Sequence, residues 1–174
     1  LKESVTYKTR AILICNPSNP SGYLYSEKEI KDLIDFALEN DIFLIVDEVY
    51  REFIYTNDEH YSVLKSEKGK QHTVMIDSVS KRYSLCGARV GCMISKNKEL
   101  MATALKFAHL RLSPPILALM ASEAAITAPK SYLDKVKNEY SKRKDVTVAA
   151  LEKIDGVEVS EPKGAFYCIA KLPV

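Results

Sequence analysis

Lys81 stands in the run Ser78-Val79-Ser80-Lys81, just past the apolar segment Thr73-Val74-Met75-Ile76-Asp77, with Arg89 set between small residues downstream. A lysine so placed could form an imine with an aldehyde cofactor, provided that it loses its proton at modest cost. Partial desolvation and nearby cations promote that loss. Serine hydroxyls and the planar fork of an arginine suit a phosphate group. Two further polar clusters have the same relation to an apolar run. Asn16-Pro17-Ser18-Asn19-Pro20-Ser21-Gly22 follows Ala11-Ile12-Leu13-Ile14-Cys15, and Asp47-Glu48-Val49-Tyr50 follows Ile42-Phe43-Leu44-Ile45-Val46. Ligands of open α/β sheets bind beyond the carboxyl ends of the strands, so three clusters each directly after a strand signal predict one shared crevice.

The elements that must position these residues are legible between them. Ser26 can cap a helix and Glu29 completes a capping box, while Ile30, Leu33, Ile34, Ala37 and Leu38 recur at helical spacing. A helix over 26–39 between two strands makes a strand, helix, strand unit, whose strands should be parallel and whose crossover should be right-handed. Residues 56–70 read as a polar excursion before the next strand at 73–77. Beyond Gly91 the pattern predicts a short strand at 92–94 and a helix over 97–110. The Ser113-Pro114 pair should then cap and open a further helix to about residue 127. A long helix over 131–153 has one apolar face, set by Leu133, Val136, Tyr140, Val148 and Leu151, and strands should follow at 157–159 and 165–170.

Taken together, the three polar segments resemble the fold-type I pyridoxal-phosphate-dependent aminotransferases, the aspartate aminotransferase superfamily. Asn-Pro-x-Asn-Pro-Ser-Gly, Asp-x-x-Tyr, Ser-x-Ser-Lys and the trailing arginine occur here in the family's order and spacing. The resemblance implies an α/β fold, a three-layer sandwich around a mainly parallel sheet that is part of a large cofactor-binding domain. It implies that pyridoxal 5′-phosphate is bound by Asn19, Asp47, Tyr50, Ser78, Ser80, Lys81 and Arg89. Lys81, Asp47 and Tyr50 would be catalytic: Lys81 as the imine-forming residue and general base, Asp47 as the partner of the pyridinium nitrogen. Tyr50 and Asn19 would donate to the ring's phenolic oxygen, and Arg89 with Ser78 would hold the phosphate. The implied reaction moves an amino group between an amino acid and a 2-oxo acid of aspartate or aromatic type, within amino-acid metabolism, in a homodimer. A carbon-sulfur β-lyase of the same fold and a non-catalytic regulatory domain that binds the cofactor are the alternatives.

Composition agrees with small-molecule chemistry. The 174 residues are 47% hydrophobic and 28% charged with a formal net charge of +2, so no basic excess calls for nucleic acid or an anionic membrane. Cys15, Cys86, Cys92 and Cys168 show no paired spacing and are expected as reduced, buried thiols of a cytoplasmic protein. His60, His72 and His109 are scattered without metal-ligand spacing. By the resemblance, residues 1–155 are the later part of the large domain and residues 156–174, with Gly164-Ala165-Phe166-Tyr167, begin a smaller C-terminal one. The chain is then a fragment, expected to be nearly inactive alone because the family's remaining phosphate-gripping and carboxylate-clamping residues lie elsewhere.

Overall fold

The computed structural model describes residues 1–173. Strands β1 (Ala11–Cys15), β2 (Phe43–Asp47), β3 (Thr73–Ser78) and β4 (Gly91–Ile94) form one sheet in that order. The first three run parallel and β4 is antiparallel to β3, so the chain has the α/β class and mainly parallel sheet that its sequence predicts. The register is set by side-chain alternation. Leu44 and Val46 of β2 point into the core, whereas Leu13, on the opposite face of edge strand β1, is 71% exposed.

Helix α1 (Glu27–Glu39) covers the core face. Ser26 accepts a hydrogen bond from the Glu29 amide while the Glu29 carboxylate accepts one from the Ser26 amide, the reciprocal box that its sequence foretold. Its stripe of Ile30, Leu33, Ile34 and Ala37 packs with Leu44, Val46, Val63 and Met75. At about 1.5–3 kcal/mol for each large aliphatic side chain removed from water, this cluster holds β1, β2 and β3 at a common level. The strand ends that carry the polar clusters are thereby aligned.

A second cluster joins distant parts of the chain. Val49, Tyr50, Phe53 and Ala165 are buried together, with Phe166, Tyr167 and, from helix α5 (Lys130–Leu151), Val136 and Tyr140 packed on them. The backbone fixes this junction. The Lys163 and Gly164 amides both donate to the Gly22 carbonyl, at 2.9 and 3.0 Å, the Tyr55 amide donates to Lys163 and the Ala165 amide to Phe53. Gly22 has φ +68°, and a Cβ there would lie 2.2 Å from the Pro162 Cβ and 2.7 Å from its Cα. Gly22→Ala should therefore combine about 1–2 kcal/mol of left-handed backbone strain with about 1–3 kcal/mol of overpacking. Urea denaturation reads the sum directly, and a midpoint unchanged from the parent would mean that residues 162–164 do not dock on Gly22 in solution.

After helix α2 (Val79–Arg82) and β4 come α3 (Lys98–Arg111) and α4 (Ile116–Ile126), which turn apolar side chains outward: Phe107, Leu110, Leu117 and Met120 are all exposed. Asn97 caps α3 through the Leu100 amide. Helix α4 begins later than Ser113-Pro114 suggests. Pro115 follows Pro114 and pushes it out of the helical region, so Pro115, at ψ 140°, is the residue before the first turn. The expected strand over 165–170 is also shorter. Ala165 takes a left-handed φ of 58° to bond Phe53, and only Ala170–Lys171 (β6) pairs, with Glu158–Val159 (β5). All four cysteines are free, but none is buried: Cys86 and Cys92 are exposed and the other two half-buried. Cys15 alternates with the core-facing Ile14 and so lies on the face of β1 away from α1, whereas Cys92 shares the face of Met75 but sits on β4. Among the described residues, no helix is long and apolar enough to cross a membrane.

Candidate active site

Beyond the carboxyl ends of β1, β2 and β3 lies an open cleft of about 370 Å³ whose walls include Asn19, Asp47, Tyr50, Ser78, Ser80, Lys81 and Arg89. Every residue singled out from the sequence therefore faces the same space. Cys15, Val49, Ile76 and Asp77 complete the lining.

Each side chain is held by local structure. The turn after β1 is tied by Asn16, whose amide donates to Asp47 at 2.8 Å and whose buried side-chain oxygen accepts from Tyr25 at 3.1 Å. The Ser18 amide bonds Tyr23 and the Gly22 amide returns to Ser18, leaving Asn19 at the tip of the turn. Asp47 ends β2, half-buried, and accepts from the Val49 amide at 3.0 Å. Burial pushes its carboxyl above the ordinary carboxylate range; the Val49 amide and the Lys81 cation oppose this while Asp77 adds to it. Tyr50 is 3% exposed. Burial, and after it the Tyr167 hydroxyl, holds its phenol above the usual tyrosine value, against the Asn19 amide.

Lys81 sits on the single turn α2, whose start is capped by the Ser78 hydroxyl accepting from the Ser80 amide at 3.2 Å. An ionic cluster pins that turn. Asp77 receives Arg51 and Arg82 at 3.1 Å each, and Glu52 stands 3.6 Å from Arg82. Partly buried pairs of this kind add little net stability, because desolvation offsets their attraction. Lys81 itself makes no ion pair among the described residues; its amino group lies 5.8 Å from the centroids of both the Tyr50 and Phe166 rings. Arg89 is exposed in a left-handed conformation, φ 57°, with its guanidinium donating to the Cys86 carbonyl at 2.9 Å. Non-glycine residues hold that conformation at some cost, and such strain concentrates at ligand clamps. Four of its five N–H donors remain for another acceptor.

A cleft with an unpaired lysine amine, a half-buried carboxylate, two aromatic rings and an arginine beside serine hydroxyls has the donor set that an anionic, aromatic ligand requires. The sequence also matches the model of a known family, aminotransferase class I and II, over residues 1–174. The chain belongs to this family. Among its relatives, the aspartate aminotransferase of Bacillus subtilis is 34% identical over 96% of the chain and 43% of that protein. The one from Bacillus sp. YM-2 is 32% identical over 97% of the chain and 43% of its own length. The solved aspartate aminotransferase of Rhizobium meliloti superposes with a TM-score of 0.88 at 28% identity, covering 97% of the chain and 43% of that structure. The aromatic aminotransferase of Pyrococcus horikoshii gives 0.86 at 30% identity, over 96% and 45%. The chain thus spans about 43% of the length of the curated relatives it matches.

Three residues in or beside the cleft escape sequence reasoning. Asp77 ends a strand and reads as an ordinary polar terminus; only the fold brings two arginines onto it. Tyr167 reaches Tyr50 across a separation of 117 residues, with Phe166 beside it, which no local spacing encodes. Glu48, next to Asp47, faces away from the cleft and is fully buried. It accepts from the Val63 amide at 2.8 Å and lies 3.8 Å from His60, whose pKa burial lowers to about 4, so the imidazole is neutral at pH 7 and serves as packing. Among the described residues, no three metal-ligating side chains gather.

Proposed function

We propose that this chain carries the cofactor lysine of a pyridoxal-phosphate-dependent aminotransferase, which moves an amino group from an amino acid to a 2-oxo acid. The observation that carries the reading is Lys81, free of any ion pair among the described residues, in the cleft walled by Asp47, Tyr50 and Arg89. When bound, pyridoxal phosphate supplies an electron sink for the charge left when the substrate's Cα proton departs.

The chain's own residues do the rest. The Lys81 amine, beside the Tyr50 and Phe166 rings, would hold the aldehyde and would take and return the Cα proton. The half-buried Asp47 carboxylate would pair with a protonated ring nitrogen more strongly than it would in open solvent. Tyr50 and Asn19 donate to the phenolic oxygen, and Arg89 with Ser78 and Ser80 receives the phosphate. The names of the relatives favour an aspartate or aromatic amino acid as substrate. Residues 1–155 then belong to the large cofactor domain. Residues 156–174, with their separate β5–β6 ladder, open a smaller one. The outward apolar faces of α3 and α4 support a homodimer, and four free thiols suit a reducing cytoplasm.

The test is covalent. Incubation with pyridoxal phosphate, borohydride reduction and peptide mass spectrometry should place the phosphopyridoxyl label on Lys81, and a label on another lysine would refute the assignment. In the whole protein, a new amino acid and a 2-oxo acid should appear as products. Pyruvate, ammonia and a thiol would instead mark a β-lyase.

A further inference from the structure

Tyr50 is oriented by a hydroxyl that comes from far along the chain. The Tyr50 and Tyr167 oxygens are 2.8 Å apart, and their rings meet edge to face at 5.6 Å. Tyr167 is not there by side-chain accident. Its segment is clamped through the backbone by the bonds from Lys163 and Gly164 to Gly22 and from Ala165 to Phe53, with the Tyr55 hydroxyl on the Ala165 carbonyl. Gly164 passes so close to Pro17 and to the Phe53 carbonyl that a Cβ would fall 2.7 and 2.8 Å from them. Phe166, alongside, sets its ring 5.0 Å from Tyr50 and 5.8 Å from the Lys81 amine.

We propose that Tyr167 is a positioning residue for Tyr50, its hydroxyl fixing the direction in which Tyr50 offers its proton to the cleft. The proposal rests on the reading of Tyr50 as a donor to bound cofactor. A phenol has one hydrogen to give and lone pairs to receive. When the Tyr50 hydrogen turns towards an acceptor in the cleft, its oxygen can take the Tyr167 hydrogen in exchange. The pair becomes a relay pointing into the cleft, in which each bond polarises the next. Without Tyr167 the buried Tyr50 hydroxyl keeps only the Asn19 amide beside it and loses the hydroxyl partner that sets its direction. Since Tyr167 is carried by residues 162–167, any displacement of that segment would be felt at Lys81 and Tyr50 together.

Tyr167→Phe keeps the ring and removes only the oxygen. In the cofactor-free chain labelled with ¹³C-tyrosine, the Tyr50 Cζ resonance, assigned through Tyr50→Phe, should shift in Tyr167→Phe while the melting temperature stays near that of the parent. An unshifted resonance would overturn the proposal, because no hydroxyl pair would then exist in solution. Titration with pyridoxal phosphate adds the functional side. Tyr167→Phe should weaken binding roughly three- to tenfold when Tyr50 is present, the loss of one neutral hydrogen bond, and not at all in a Tyr50→Phe background. Equal losses in both backgrounds would overturn the positioning role. A parent chain that binds no pyridoxal phosphate would sink the functional reading instead, and the resonance alone would then decide the role of Tyr167.

Discussion

Replacing Lys81 by alanine should abolish amino transfer in the whole protein while leaving the fold in place. On the proposed reading the lysine is the group whose amine would meet the cofactor aldehyde and the substrate's Cα proton, and proton transfer by a placed base is by itself worth about 10²–10⁴ in rate. Loss of the covalent anchor adds to that. The fold has little reason to suffer. Lys81 makes no ion pair among the described residues, the turn it sits on is held by Asp77, Arg51 and Arg82, and alanine is the better helix former. The expected result is a thermal midpoint within a degree or two of the parent and a rate at background. A collapsed midpoint would assign Lys81 to structure, and retained turnover would remove it from the chemistry.

What the sequence discloses and what it hides divide along the range of the interactions. The capping box of Ser26 and Glu29, the period of α1 and the apolar runs of β1, β2 and β3 are local, and each forms as its spacing foretells. Their alignment brings Asn19, Asp47 and Lys81 to one cleft because parallel strands place successive carboxyl ends on the same edge. The start of α4 is displaced by one competing local rule, the restraint that Pro115 places on Pro114. Residues 165–169 are a different case. Their alternation suits a strand, but the Phe53 carbonyl accepts from Ala165 in a left-handed turn, just after Gly22 has accepted from Lys163 and Gly164, and those partners lie more than a hundred residues upstream. The Tyr50–Tyr167 pair inherits the same invisibility. Cysteine exposure is hidden for a related reason, since how far a covering layer extends over a strand or turn is not written in that segment itself.

The sharpest division of labour lies between Asp47 and Arg89. Asp47→Asn keeps an oxygen for the Val49 amide but removes the charge that would pair with the cofactor's ring nitrogen, so the rate should fall on the order of 10²–10³ while cofactor affinity changes little. Arg89→Ala should do the opposite, weakening cofactor binding by about 1.5–3 kcal/mol as charged hydrogen bonds are lost. Stability gives an independent reading of the same carboxylate. Burial raises the Asp47 pKa above its ordinary 3.8, so the folded chain holds its proton over a range in which the unfolded chain has released it. The contribution of this group to stability is complete below 3.8 and is lost as pH rises through the raised folded value, leaving a charge that the cofactor-free fold tolerates at a cost. Asp47→Asn should therefore raise the melting temperature of the cofactor-free protein at neutral pH, and the difference from the parent should vanish below pH 3.8. Saturation with pyridoxal phosphate should shrink or reverse the gap, because a protonated ring nitrogen gives the parent carboxylate the partner that asparagine cannot match. A neutral-pH melting temperature lowered by Asp47→Asn, or a gap indifferent to cofactor, would mean that the carboxylate is satisfied within the chain and is not waiting for a cationic ring.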